Sequence, residues 1–280
     1  LLLDPGDPVW FENPGASGAR NAFIANGADL IAVPVDQEGL CVAEGLSKAP
    51  HFHLAFVTPS HQQPLGPAMS LPRRLELLKA ADEANAFIVE DDYDGDFYYG
   101  DQPLPPLKSI DTQERVIYVG TFSKSLFPSL RLGFILSPPG LVDGFAQIST
   151  HWVSGVPTAT QATVADFMNE GLFATHIRMM RRTYQARHDA LLDAAKALTG
   201  VLDLEAAASG FHTVGYLPDH FDENLIVRRA DEKGILLAPL NRYCLSPISK
   251  KGLVLGFGGV NPEQIQGGIE VLKSLPEIGL

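Results

Sequence analysis

Short apolar runs alternate with helical stretches through the first half of the chain, and this rhythm restricts the fold more than any other feature. Val9-Trp10-Phe11, Leu30-Ile31-Ala32-Val33, His53-Leu54-Ala55-Phe56-Val57, Phe87-Ile88-Val89, Val116-Ile117-Tyr118-Val119 and Gly133-Phe134-Ile135-Leu136 read as strands. Several are nearly continuous in apolar residues, as expected where a parallel sheet is covered on both faces. Between two of them a helix opens at Ser70, an N-cap residue, with Pro72 in its first turn. Its apolar positions Leu75, Leu78, Ala81 and Ala84 follow helical spacing. Strand, helix and strand in this order predict α/β layering with a mostly parallel sheet.

The pattern changes near Pro157. Residues 158–169 and 172–198 read as helices separated by Gly171, the second carrying Ile177, Met180, Tyr184, Leu191 and Leu192 on one side. Strands return at Thr213–Leu217, Ile235–Ala238 and Leu253–Phe257. A helix over Pro262–Leu275 follows, with Pro276 as its stop. The expected organisation is a large α/β domain over 1–157, bridging helices over 158–198 and a small C-terminal α+β domain over 199–280. A chain of 280 residues can bury two such cores. It opens at Leu1 and runs directly into the turn Asp4-Pro5-Gly6-Asp7-Pro8, so we expect a piece of a longer protein whose large domain has further residues in front.

Charge and cysteine content narrow the functional classes. The net charge of −12 disfavours nucleic-acid binding by this stretch, because neutralising phosphates needs clustered Lys and Arg. Cys41 and Cys244 are far apart and lack metal-ligand spacing, which suits structural thiols in a reducing, cytoplasmic setting. No apolar run is long enough to span a bilayer.

The chemistry is concentrated in two segments. Lys124 lies in Gly120-Thr121-Phe122-Ser123-Lys124, directly after the strand Val116–Val119, and Arg131 follows in the same run. Ligand sites of open α/β sheets lie at the carboxyl ends of strands, where this lysine would stand. Thr121, Ser123 and Arg131 offer two hydroxyls and a guanidinium, a set suited to a phosphate. Upstream, Glu90-Asp91-Asp92-Tyr93-Asp94 ends the strand begun at Phe87. An amine, a carboxylate and a phenol at neighbouring strand ends are what pyridoxal 5'-phosphate requires. Lys124 would form the Schiff base, Asp91 would pair with the protonated ring nitrogen, and Tyr93 would bond the ring's phenolic oxygen. The acidic cluster also offers hard oxygen ligands for a divalent metal, or a merely solvated turn. It lacks an EF-hand pattern and runs straight into Phe97-Tyr98-Tyr99, and its joint occurrence with Lys124 favours the cofactor. No metal ligand set is assigned.

These segments, together with Thr58-Pro59-Ser60-His61-Gln62, Asn13-Pro14-Gly15, Val33-Pro34-Val35-Asp36 and Leu237-Ala238-Pro239-Leu240, resemble the fold-type-I aminotransferase-like domain of MocR-type regulators in the GntR superfamily of bacterial transcription factors. The resemblance covers essentially the whole chain. It implies Lys124 as the cofactor's lysine, Asp91 and Tyr93 as its ring partners, and Thr121, Ser123 and Arg131 as part of the phosphate cup. It also implies Arg242 as a carrier of an effector's carboxylate, with a surface loop arginine as the alternative. His61 and Gln62 are placed at the cofactor edge, although a turn histidine bonded to backbone is a competing reading. A homodimer is implied as well, with DNA contact made only through a winged helix-turn-helix absent from this chain.

Two departures stand out. Ala16 occupies the place where an aromatic usually stacks on the cofactor, and Leu65 replaces a threonine of the Pro-Thr-Gly turn. The first functional expectation is a sensor that takes an amine or amino acid as an external aldimine. The second is a class I/II aminotransferase passing an amino group to a 2-oxo acid, and the third is a cofactor-free structural domain.

Overall fold

The computed structural model describes residues 1–100, 104–152 and 155–278. The apolar runs of the first half form one sheet from β1 (Pro8–Asn13), β2 (Asp29–Asp36), β3 (Gly39–Leu40), β4 (Leu54–Val57), β5 (Phe87–Asp92), β6 (Val116–Thr121) and β7 (Gly133–Leu136). Their spatial order is β3-β2-β1-β4-β5-β6-β7. The five inner strands are parallel, and the edge strands β3 and β7 are antiparallel to their neighbours. Helices α1 (Ser17–Ala25), α2 (Val42–Lys48), α3 (Leu71–Glu83), α4 (Leu107–Ile110) and α5 (Phe122–Ser125) lie between strands.

Alternation along each strand builds two apolar layers. Trp10, Ala55, Val57, Ile88 and Val116 face α2, α3 and α4, where Val42, Leu77, Ala81 and Leu107 complete the layer. Val9, Phe11, Leu54 and Phe56 face the other way, toward Ala16 and Phe23 of the α1 region. Ser70 caps α3 by accepting the Arg73 amide at 3.3 Å. The buried stripe of α3 is Arg74, Leu77, Ala80 and Ala81, however, and Leu75 is 53% exposed. Arg74 turns the helix this way. Its fully buried guanidinium donates to the carbonyls of Met69, Pro59 and Pro105 at 2.8–3.0 Å, replacing the water it gives up.

The expectation of a two-sided cover fails for β7. It is an edge strand, and all four of its residues are exposed. The tip of the Phe134 ring covers Gly120, where an added Cβ would run into it.

Past β7 come α6 (Val142–Trp152), α7 (Thr158–Asn169) and α8 (Leu172–Ala195), followed by a 3-10 turn over Lys196–Leu198. A second, antiparallel sheet contains β8 (Asp203–Leu204), β9 (His212–Leu217), β10 (Ala238–Pro239) and β11 (Lys251–Gly256), in the order β10-β11-β9-β8. Helices α9 (Glu223–Glu232) and α10 (Pro262–Lys273) join the end of α8 in covering it, with Leu191, Leu198, Ile226, Leu253 and Ile269 in one core. The strand expected from Ile235 begins only at Ala238. Gly234 leaves α9 at φ +80°, Ile235 drops into the core, and Leu236 is left 85% exposed.

Three ties hold the sheets together beside the carboxyl ends of the inner strands. Asn13 at the end of β1 accepts from the Leu245 and Ser246 amides at 2.7 and 3.2 Å. Phe97, Tyr184 and Phe211 form a mutual edge-to-face cluster with centroids 4.8–5.1 Å apart. Residues 97–99 also run alongside 208–210, through Tyr99 N to Ala208 O at 2.8 Å and Gly210 N to Phe97 O at 3.1 Å. No helix among the described residues is long and apolar enough to cross a membrane.

Candidate cofactor and effector site

β5 and β6 end side by side, with Asp91 opposite Val119 and Asp92 opposite Gly120, and this brings the acidic cluster up to the Lys124 turn. The cluster does not converge on one point, because its members are engaged in different directions. Glu90 accepts the amides of Leu107 and Lys108, each at 2.8 Å. Asp92 accepts the Tyr118 hydroxyl at 2.6 Å and the Gly95 amide at 3.1 Å. Asp94 pairs with His61 at 2.7 Å. Among the described residues, Asp91 is left without a hydrogen-bond or ion-pair partner. Burial first, and then the charges of Asp92 and Asp94, push its carboxyl up to about 7. A protonated ring nitrogen is the kind of partner that would restore its charge.

Lys124 sits on α5, the single helical turn that starts where β6 stops. Thr121 caps that turn, its hydroxyl accepting the Ser123 amide at 3.1 Å. The return to β7 brings Arg131 back beside it, since Phe122 N donates to Leu132 O at 3.0 Å and Thr121 is paired with Gly133. Arg131 holds φ +50°, a left-handed conformation that costs a non-glycine residue roughly 1 kcal/mol or more and recurs at ligand sites. Lys124 and Arg131 are both exposed, and neither has an ion-pair partner among the described residues. The structure thus brings Lys124, Thr121, Ser123, Arg131 and Asp91 to the same end of the sheet.

Tyr93 leans toward His61, its hydroxyl 3.1 Å from Nδ1. Burial, followed by the charges of Asp94 and Asp91, raises the Tyr93 phenol well above its ordinary range, so it stays a hydrogen-bond donor. His61 Nδ1 faces both Asp94 Oδ2, at 2.7 Å, and the Tyr93 hydroxyl, and Asp94 also holds the Tyr93 phenol. His61 lies buried behind Tyr93. Gln62 is likewise turned inward. Its amide nitrogen donates to Glu12, Pro14 O and Gln63 O at 2.9–3.1 Å, and its oxygen accepts the Leu65 amide at 3.0 Å. Gln62 therefore shapes the loop and has no group left over for a ligand.

Sequence reasoning passed over Glu12 and His212. Glu12 is fully buried under the 58–62 loop and accepts Thr58 Oγ1 at 2.8 Å, and burial pushes its carboxyl up to about 7 against the lowering by Thr58 and Gln62. His212 opens β9 with its ring 5.1 Å from that of His61, and burial and His61 push it down to about 4. The pairing of 97–99 with 208–210 delivers His212 there, a contact between distant segments that leaves no local pattern. The Asn13-Pro14-Gly15 and Ser209-Gly210-Phe211-His212 segments are the available hints.

Arg242 is exposed on a 3-10 turn over Leu240–Tyr243. Tyr243 O receives the Gly15 amide at 3.0 Å, so this turn borders the end of β1. Ala16 is 5% exposed and packs within the core, so no ring stands at that position. Leu65 packs into the apolar cluster of Val214, Leu240 and Val254 beneath the second sheet.

An amine, a phenol donor, an unpartnered carboxylate and a hydroxyl-plus-guanidinium anion site make a donor set that fits pyridoxal phosphate. Comparisons with known proteins agree. Residues 1–251 match the family described as Aminotransferase class I and II. The chain is 38% identical over 275 residues to the Rhizobium meliloti protein described as "Probable rhizopine catabolism regulatory protein MocR", covering 98% of this chain and 55% of that one. Kynurenine aminotransferase of Pyrococcus horikoshii, crystallised with PMP, superposes with a TM-score of 0.88 at 30% identity over 97% of this chain and 70% of its own. The α-aminoadipate aminotransferase LysN of Thermus thermophilus, complexed with N-(5'-phosphopyridoxyl)-L-leucine, gives 0.90 at 27% identity, with 97% and 71% covered. The chain spans 55% to 59% of the length of the first three curated regulators it matches.

Proposed function

The chain belongs to the aminotransferase class I and II family, and from that premise we propose that it is the effector-sensing part of a MocR-type transcriptional regulator. Its α/β fold is that of the fold-type-I pyridoxal-phosphate aminotransferases. Pyridoxal phosphate supplies an electrophilic carbon for amines and a ring that withdraws electrons. Lys124 tethers the cofactor through its ε-amine. Asp91 keeps a proton on the ring nitrogen, and Tyr93 donates to the ring oxygen. Thr121, Ser123 and Arg131 bind the phosphate. Arg242 would meet a carboxylate if the effector amine carries one. The observation carrying this reading is Asp91, whose carboxyl has no partner among the described residues although it stands beside the Lys124 turn, while Glu90, Asp92 and Asp94 are engaged.

The sensor is preferred to a working enzyme because the 38% identity to a regulator exceeds the 27–30% identity to the two aminotransferases. The catalytic reading survives as a second one, since those enzymes share the fold at TM-scores of 0.88 and 0.90. In the full regulator, DNA contact belongs to a winged helix-turn-helix outside this chain, and the protein works in the cytoplasm as a homodimer.

The test is spectroscopic. Added pyridoxal phosphate should develop a visible absorption band that Lys124→Ala abolishes, and an intact protein without a band would overturn the reading. Added amino acids should then change the spectrum by one equivalent without accumulating 2-oxo acid. Sustained 2-oxo acid production would select the enzyme instead.

A further inference from the structure

Behind Tyr93 lies a cluster that supports that phenol and to which the cofactor reading assigns no ligand of its own. His61 and Asp94 are 1% and 2% exposed, and His212 stands against them from the second sheet. One nitrogen from each imidazole and one Asp94 oxygen all lie within 4.8 Å of one another. His61 Nε2, His212 Nε2 and Asp94 Oδ1 are each buried with no hydrogen-bond partner. Each of these atoms is costly to leave unsatisfied, and His61 reaches the group through its other nitrogen, Nδ1, which is 2.7 Å from Asp94 Oδ2. Gly210 adds to the impression of a shaped cradle: a Cβ there would come within 2.4 Å of both Asp94 Oδ2 and the His61 ring.

We propose that His61, Asp94 and His212 bind a divalent transition-metal ion of the imidazole-preferring class, with zinc as the representative. Two imidazoles and one carboxylate form a mixed nitrogen and oxygen set that suits zinc, cobalt or nickel and disfavours calcium and magnesium, which take oxygen ligands. Ligands of a tetrahedral ion at about 2.0–2.1 Å stand roughly 3.4 Å apart, so the group draws in from its 4.8 Å spread, the ion replacing the proton between His61 Nδ1 and Asp94, which leaves to solvent. Entry is available from the side of the second sheet. His212 lines an open cleft of about 330 Å³ together with Gln63, Leu237, Ala238 and Tyr243. Three protein ligands leave a fourth position for an exchangeable ligand, the arrangement of open rather than purely structural sites. Because His61 Nδ1 also faces the Tyr93 hydroxyl at 3.1 Å, an ion here is coupled to the group that meets the cofactor. The site is thus placed to let metal availability adjust the sensor.

Calorimetric titration of the cofactor-loaded protein with zinc tests this, alongside titration of the cofactor-free protein with cobalt(II), whose visible bands report coordination. One equivalent should bind per chain, the cobalt bands should be those of a four-coordinate nitrogen and oxygen site, and zinc should shift the cofactor band. His212→Ala, at the accessible edge of the cluster, should weaken binding at least tenfold while the protein still takes up cofactor. His61→Gln serves as a second variant, with retained secondary structure by circular dichroism as its folding check. Absence of saturable binding would overturn the proposal and indicate ordered water among these atoms. Stoichiometric binding unchanged in His212→Ala would also overturn it. Neither result touches the assignment of Lys124.

Discussion

Two carboxyls, Glu12 and Asp91, carry protons at pH values where carboxyls are ordinarily ionised, because both are taken out of water faster than partners compensate them. Their folded values are raised to about 7, so the native state of the cofactor-free protein binds protons that the unfolded chain releases near pH 4. The stability they contribute is therefore complete below about pH 4 and is lost as pH climbs through about 7. Glu12→Gln removes one of the two titrations, and denaturant melts between pH 4 and 8 should show a flatter loss, by on the order of 2–3 kcal/mol. The same residues show what a sequence reveals at this scale. Lys124, Asp91 and Arg131 are legible because strand ends, a short turn and a local motif place them. Glu12 and His212 are not legible, since each owes its role to a loop or strand far away in the chain. Gln62 and His61 were legible as loop residues, but their hydrogen bonds point into the protein.

At the scale of elements, the β6–α5–β7 turn holds Arg131 at φ +50°, and on the proposed function that conformation serves the phosphate. Arg131→Gly relieves that conformation and removes the guanidinium. Thermal melts of the cofactor-free protein should show no loss of stability, while affinity for pyridoxal phosphate falls by at least tenfold, as expected for a charge-assisted hydrogen bond worth about 1.5–3 kcal/mol. Reduced affinity without a gain or parity in stability would mean that Arg131 supports the fold instead. The helices over Thr158–Asn169 and Leu172–Ala195 were readable from their apolar spacing and the intervening Gly171, which stands at φ +74°. α1 and α9 were not foreseen, since each is short, although Asp222 caps α9 by accepting two amides. Of the apolar positions read on α3, Leu78, Ala81 and Ala84 pack on the core and only Leu75 faces out; buried Arg74 counts as polar in any apolar pattern and so goes unseen there.

For the whole molecule, the arrangement of the two sheets decides whether a site exists at all. Phe97 is fully buried where the segment after β5 meets α8 and the lead into β9. Phe97→Ala should cost about 3–5 kcal/mol in chemical denaturation and loosen cofactor binding as well, because Phe97 anchors the segment that follows Asp91 and Tyr93. Loss of stability with unchanged cofactor affinity would separate the two roles. That mutual placement could be anticipated only as a layered α/β body followed by shorter strands, because the ties through Asn13, Phe97 and Leu65 join segments far apart in sequence. The central claim is that this scaffold carries pyridoxal phosphate on one particular amine. Borohydride reduction of the cofactor-loaded protein, followed by proteolysis and mass spectrometry, measures that directly. The account predicts the reduced cofactor mass on the peptide containing Lys124 and on no other; an unmodified Lys124 peptide, or modification spread over surface lysines, would contradict it.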